Sequence, residues 1–199
     1  MSSELAVATV YEAAGREGLI DLALHRIVPG ARASGPARPV LCGQGDNLMV
    51  HAAMAHARPG DVLVLTMPEP EPVALIGDLL ATQAKAHGVA AILVDAAVRD
   101  ADELAELGLP IWARWIRVRG ATKDVPGTID EPVTVGGARI SAGDLVVLDG
   151  DGACVVAQER VEEVLEAARA REEKERVKRA KLQAGELSYD LDNLRARVE

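Results

Sequence analysis

Two uninterrupted apolar runs bracket a helical stretch in the middle of the chain, and this pattern limits the fold more than any other feature. Asp61-Val-Leu-Val-Leu-Thr66 and Val89–Val94 read as buried strands. Between them Leu75–His87 reads as a helix that starts near Gly77-Asp78 and ends at Gly88. A strand–helix–strand unit predicts a right-handed parallel crossover. Ahead of it, Asp46–Arg58 has Leu48, Met49, Ala52, Ala53 and Ala55 at helical spacing, with Asp46 as N-cap and Pro59-Gly60 as stop. Ser2–Gly15 reads as a helix capped by Ser3 and stopped by Gly15, and Ile27–Pro39 as loop and short strand broken by Gly and Pro. The run Met67–Pro72 (MPEPEP) excludes regular structure. Ala101–Leu107 is a short helix closed by Gly108, and Ile111–Val118 a further strand carrying both tryptophans.

The second half changes character. Gly136-Gly137 lies between β-branched runs within Pro132–Ile140, a hairpin signal. Leu145–Leu148 and Ala153–Ala157 flank the turn Asp149-Gly-Asp-Gly152 and make a second antiparallel pair. The expected fold is therefore mixed α/β and not a doubly wound parallel sheet. From Gln158 the chain is helical, with Val161, Val164, Leu165 and Ala168 as its apolar face. That face fades after Ala170. The remainder reads either as a solvated surface with pairs such as Glu172 with Arg176, or as an arm reaching a neighbouring subunit. Residues 1–157 form the expected α/β domain and 158–199 the C-terminal helix and tail.

Composition narrows the classes. At 199 residues and 49% hydrophobic, one core can form without disulfides. Only 2% of residues are aromatic and none is Phe, so the core is Ala, Val, Leu and Ile, and the scarcity argues against base-stacking RNA or single-strand binders. The net charge is −9; residues 158–199 hold 10 basic against 11 acidic groups, which leaves −8 in the rest, where a cation is attracted and a polyphosphate repelled. Cys42 and Cys154 lack CxxC spacing, so neither a disulfide framework nor a zinc knuckle is expected. The N-terminal MSSELAVATVYEAAG has no basic leader region, and no apolar run reaches the roughly 18 residues of a membrane span. These features predict a soluble cytoplasmic protein with neither nucleic acid nor membrane as partner.

Two short motifs stand out chemically. Arg99-Asp100 follows the Val89–Val94 strand closely, near the strand C-termini where α/β folds bind ligands. An Arg beside an Asp offers a carboxylate clamp and a hard oxygen ligand together. Taken alone, the pair also reads as an ordinary surface contact, with Asp100 or Asp102 capping the next helix. Gly77-Asp78-Leu79-Leu80 puts the amides of Leu79 and Leu80 in a first helical turn, where unpaired donors suit a carboxylate. Alone, it is equally a capped Gly loop with two core leucines.

The stretches GDNLMVHAAMAHARPGDVLVL and IGDLLATQAKAHGVAAILVDAAVRDADELAELGLPIWAR, with the ending AGELSYDLDNLR, resemble the class II pyruvate aldolases. These cleave 4-hydroxy-4-methyl-2-oxoglutarate and 4-carboxy-4-hydroxy-2-oxoadipate, and share a superfamily with the regulator of ribonuclease activity A. The resemblance covers about Asp46–Ala168. It implies a compact α/β/β sandwich of mixed sheets, RraA-like and similar to swivelling domains, with a C-terminal helical arm. By the same resemblance Arg99 contacts the keto acid and stabilises its enolate, and Asp100 ligates Mg²⁺ or Mn²⁺. Gly77 and the amides of Leu79 and Leu80 hold the pyruvyl carboxylate, and Asp78 orders the water that acts as base. A neighbouring subunit of a homotrimer or homohexamer contributes an acidic residue toward the metal; Glu175 is the best match, with Glu172 and Glu173 as competitors. Asn47 and His51 border the pocket, His51 being also readable as an ordinary helix-surface residue.

Residue types support metal chemistry independently. Cleaving C3–C4 of a 4-hydroxy-2-oxo acid requires a stabilised enolate, through a lysine Schiff base or a metal. Of the five lysines, Lys174, Lys178 and Lys181 lie in the charged C-terminal helix, Lys85 at a helix end and Lys123 in a Gly/Pro-flanked loop. None is an obvious buried strand lysine. The same enolate arises when oxaloacetate loses CO₂, so oxaloacetate decarboxylation is the expected side activity. The alternative is a non-catalytic, protein-binding regulator like the ribonuclease regulator. A methyltransferase is disfavoured because no G-x-G-x-x-G loop follows a strand.

Overall fold

A computed structural model describes residues 5–198. The elements follow in the order α1 (Val7–Ala13), β1 (Leu19–Ile20), β2 (His25–Arg26), β3 (Ala33–Leu41), α2 (Leu48–Met54), β4 (Val62–Thr66), β5 (Ala74–Ile76) and α3 (Asp78–Ala86). Then come β6 (Ala91–Val98), α4 (Ala101–Leu107), β7 (Ile111–Ile116), β8 (Thr128–Ile129), the hairpin β9 (Val133–Val135) and β10 (Ala138–Ile140), β11 (Leu145–Asp149) and β12 (Gly152–Val156). A 3-10 turn at Gln158–Arg160 leads into α5 (Val161–Gln183), and α6 (Ser188–Leu191) follows.

Strand parity explains the apolar runs. Leu63 and Leu65 of β4, with Ile92 and Val94 of β6, pack with Val50, Met54, Leu80 and Leu104 of the helices α2, α3 and α4. Their alternates Val62, Val64 and Leu93 face a second core, shared with Val146 and Leu148 of β11 and Val155 of β12. The other face of β11 and β12 (Leu145, Val147, Cys154, Val156) packs against Val7 and Val10 of α1 and Val164 and Ala168 of α5. Every strand in the middle is covered on both sides, so none alternates with polar residues. The architecture is mixed α/β in four layers: helices, a largely parallel sheet, an antiparallel sheet, helices. The expected sandwich thus gains a fourth layer, formed by α1 and the first turns of α5.

β3 joins the two sheets. Ala33–Pro36 pairs antiparallel with β11, and Ala37–Leu41 pairs parallel with β4. This corrects the reading of Ile27–Pro39 as loop and short strand. Pro36 is the last residue paired with β11, and Pro39 turns its carbonyl away from β4 toward Asp130, so its missing N–H faces away from β4 too. β4 and β6 are parallel neighbours, and β6 lies beside β7.

Other boundaries move as well. Ser2 and Ser3 lie outside the described residues; α1 runs from Val7 to Ala13. The Asp46–Arg58 helix contracts to α2 because Asp61 accepts the Arg58 amide at 2.9 Å and closes a turn there. Leu75 and Ile76 belong to β5, which pairs with β6, and the helix begins at Asp78, at the expected Gly77-Asp78 start. β6 runs on to Val98, four residues past the expected end. Arg176 pairs with Glu173 at 2.6 Å, one residue from the expected Glu172, while Glu175 pairs with Arg171 at 2.9 Å. Among the described residues no helix is long and apolar enough to cross a membrane.

Candidate active site

The longer β6 places Arg99 and Asp100 directly at a strand C-terminus. The Arg99 amide donates to the Ile76 carbonyl at 3.1 Å, which ties the end of β6 to the end of β5. Asp100 adopts φ 57° and ψ 44°, the left-handed region that Asp tolerates better than most residues. Its carbonyl accepts the Leu104 amide at 2.9 Å and so opens α4, but its carboxylate does not cap that helix. Instead Asp100 Oδ2 accepts the Asp78 amide at 3.2 Å and lies 3.6 Å from Arg99 Nε. Arg99 is half-exposed and Asp100 a third exposed, so both are accessible.

Gly77 makes that approach possible. Its φ of −137° suits any residue; the constraint is space. A Cβ at Gly77 would overlap the Asp100 carboxylate and lie 3.1 Å from Arg99 Cγ. Gly77 also provides no side chain to cap α3, so the first-turn amides seek other acceptors. The Leu79 amide finds Asp78 Oδ1 at 2.7 Å. Among the described residues the Leu80 amide has no acceptor, and it is the open donor of the pair.

These groups share one cleft of about 170 Å³. Its walls are Asn47 at the N-cap of α2, His51 of α2, Ala74 and Ile76 of β5, Gly77 to Leu80, Arg99, and Ala121 and Lys123 from the segment after β7. Asn47 donates through Nδ2 to the Leu75 carbonyl at 2.9 Å, while its buried Oδ1 has no hydrogen-bond partner. A buried acceptor without a partner is costly in a finished protein, and here it stands in a cleft wall. The segment bearing Lys123 is held by Asp46. The Asp46 carboxylate accepts the Leu48 amide at 2.8 Å, the Thr122 hydroxyl at 2.6 Å and the Asp124 amide at 2.6 Å. Burial alone would raise its pKa, but these hydrogen bonds outweigh it and bring the carboxyl down to about 2.

Gly77, Asp78, Leu79, Leu80 and Arg99 therefore meet in one cleft, with Asp100 immediately behind Gly77. Glu175 does not join them within one chain: it lines a different groove, with Thr9 and Arg32. Among the described residues no three His, Cys, Asp or Glu side chains converge as a metal cluster. Lys123 is the cleft residue that sequence reasoning passed over, having considered it only as a Schiff-base lysine. Its signal was position, since the segment leaving the C-terminus of a parallel strand lies where ligands bind. Asp46 read as the N-cap of α2, but Asn47 takes that position, and nothing in the sequence linked Asp46 to residues 122–124.

A four-layer sandwich that presents an arginine and an open helix start at the C-terminal ends of its parallel strands defines the class of α/β protein to which the chain is compared. The chain belongs to the RraA-like family (Aldolase/RraA), whose model matches residues 7–155. It is 38% identical to a protein of Halalkalibacterium halodurans named "Putative 4-hydroxy-4-methyl-2-oxoglutarate aldolase", over 69% of this chain and 66% of that protein, just under two thirds of its length. A Burkholderia multivorans protein of the same name is 37% identical over 73% of this chain and 88% of its own. Among solved structures, Streptomyces coelicolor RraAS2, described as an unusual member of the RNase ES inhibitor RraA protein family, superposes with a TM-score of 0.79 at 31% identity, covering 89% of this chain and 92% of that one.

Proposed function

We propose that this chain is a lyase that cleaves 4-hydroxy-2-oxo di- or tricarboxylic acids, of the 4-hydroxy-4-methyl-2-oxoglutarate or 4-carboxy-4-hydroxy-2-oxoadipate type, to pyruvate and a second keto acid, with oxaloacetate decarboxylation as a side reaction. The observation that carries this reading is the placement of Arg99, Asp100 and the start of α3 against one another at the end of β6. The names of the two relatives point the same way.

The donor set fits Mg²⁺ or Mn²⁺ better than zinc. Hard cations of this size are held by one or two carboxylates and fill their remaining positions with water and substrate oxygens. Asp100 would hold the ion from this chain, with Asp78 beside it and Glu175 of a neighbouring subunit supplying the further acid. When bound, the ion supplies Lewis-acid polarisation of the 2-oxo group.

The chain's own residues do the rest. Arg99 directs its guanidinium to the C2 oxygen as negative charge develops there; one preorganised donor of this kind contributes about 3–4 kcal/mol. The Leu80 amide and the start of α3 receive the C1 carboxylate. Asp78 orients the water that takes the C4 hydroxyl proton. The C4–O electrons then form the new carbonyl, the C3–C4 bond breaks, and its pair flows into the C2 carbonyl as an enolate. Protonation at C3 releases pyruvate. Lys123 provides a second cation for the distal carboxylate, and Asn47 Oδ1 an acceptor for a substrate hydroxyl.

The test is pyruvate release from 4-hydroxy-2-oxo acids. Excess EDTA is expected to abolish it and Mg²⁺ or Mn²⁺ to restore it. Full activity in EDTA, or borohydride trapping of pyruvate on Lys123, sinks the metal reading. A second reading, a protein-binding regulator, draws on Leu79, which is 78% exposed at the cleft. No pyruvate from any of these acids, with or without metal, would favour it.

A further inference from the structure

Two walls of the cleft come from segments remote in sequence, and a single carboxylate joins them. Asn47 stands at the N-cap of α2 and His51 rides on it, and Lys123 rides on the segment after β7. Asp46 is fully buried and lines no part of the cleft, so it acts through its neighbours. One of its oxygens holds the Leu48 amide in the first turn of α2. The other holds the Thr122 hydroxyl and the Asp124 amide, the groups on either side of Lys123. Backbone bonds lock the same register: the Asn47 amide donates to the Thr122 carbonyl at 2.9 Å, and the Thr122 amide to the Gly45 carbonyl at 3.0 Å. Gly43 lets Val125 approach so closely that a Cβ there would lie 2.5 Å from its side chain. With three donors on one buried carboxylate, the Lys123 segment has little freedom to move relative to α2.

We propose that Asp46 is the positioning residue that fixes the separation between the α2 wall and Lys123, and thereby the length of acid the cleft accepts. The inference rests on the lyase reading above. A distal carboxylate is placed by Lys123, whereas the reacting end is held by Arg99 and the start of α3, to which Asp46 makes no hydrogen bond. Loosening the Lys123 segment therefore weakens the hold on long acids and leaves the chemistry of short ones intact.

The experiment compares the wild-type protein with Asp46→Asn, Thr122→Val and Thr122→Ser, each loaded with Mg²⁺. Asp46→Asn keeps the volume but cannot accept on both oxygens. Thr122→Val removes one bond and leaves the Leu48 cap untouched, so it serves if Asp46→Asn does not fold; Thr122→Ser restores the hydroxyl. For 4-carboxy-4-hydroxy-2-oxoadipate, KM is expected to rise about tenfold in Asp46→Asn, the equivalent of one hydrogen bond to a charged group, with kcat retained. Oxaloacetate decarboxylation should stay within about twofold in both kinetic constants, the range of an untouched site. Thr122→Val should shift the same way by less, and Thr122→Ser should recover. Limited trypsin treatment adds a readout free of turnover: cleavage after Lys123 accelerates before any other site. Equal loss on both acids, an unchanged KM in folded Asp46→Asn or Thr122→Val, or no faster cleavage after Lys123 overturns the proposal. If the wild-type protein turns over neither acid, the lyase reading fails instead; the fastening is then judged on tryptic cleavage, where an unchanged rate overturns it.

Discussion

Arg99 offers the sharpest single-residue test. Arg presents a planar fork that fixes an oxygen in place, whereas Lys keeps the charge without that geometry. Arg99→Lys is therefore expected to lose about 100-fold in kcat, close to 2.7 kcal/mol, and the same factor in kcat/KM, with Mg²⁺ affinity intact. Were Arg99 a surface partner of Asp100 alone, turnover would change less than about twofold, because exposed pairs contribute little. Gly77→Ala probes the neighbouring contact from the other side. Its methyl collides with the Asp100 carboxylate, which must swing away from the helix start. Calorimetric titration with Mg²⁺ should show a weakened site, while thermal unfolding moves only modestly because the site is at the surface. Unchanged Mg²⁺ affinity in Gly77→Ala would remove Asp100 from the ligand set.

The element that joins α2 to residues 122–124 carries a pH signature. An unfolded Asp titrates near 3.9, but in the fold the Asp46 carboxyl holds off its proton until about 2. Between these values the unfolded chain binds a proton that the folded chain does not. The Asp46 contribution is thus complete above about pH 4 and is lost as pH falls toward 2. Urea midpoints measured from about pH 5 down to pH 3 should fall less steeply in Asp46→Asn than in the wild-type protein; parallel slopes would contradict the assignment. The elements differ in how legible they were. The runs at β4 and β6, the α4 bounds and the Gly136-Gly137 hairpin were readable because burial on both faces or a tight turn leaves a local trace. β3 was not, because its prolines are tolerated only through a change of partner from β11 to β4, which no local pattern records. The expected end of β6 fell at Val94, where Asp95 interrupts the apolar run. In the fold it is buried and meets Arg114 at 3.0 Å; burial pushes its carboxyl up, and the guanidinium works against that shift. Arg99, Asp78 and the first turn of α3 were legible as short motifs, while Asn47 Oδ1 and Lys123 gain meaning only from three-dimensional neighbours.

At the scale of the whole molecule, α5 bears on assembly. Its first turns bury Val164 and Ala168, and beyond them Val177 and Leu182 are 47% and 40% exposed. We expect light scattering at micromolar concentration to report a homotrimer or homohexamer, with Val177→Asp shifting the mass downward. A mass of 21.0 kDa for the wild-type protein would refute this expectation. The sharing of β3 between both sheets has its own consequence for synthesis on the ribosome. When the nascent chain has emerged as far as β7, β3 has β4 beside Ala37–Leu41, but β11, the partner of Ala33–Pro36, has not been translated. The edge at Ala33–Pro36 is open, and Val62, Val64 and Leu93 still lack the β11 and β12 residues that complete their core. Such an intermediate exposes strand edge and apolar surface together, the combination that invites aggregation. The native cores are complete only after Ala168 of α5 has cleared the exit tunnel, and a polypeptide truncated before β11 should depend on chaperones to stay in solution.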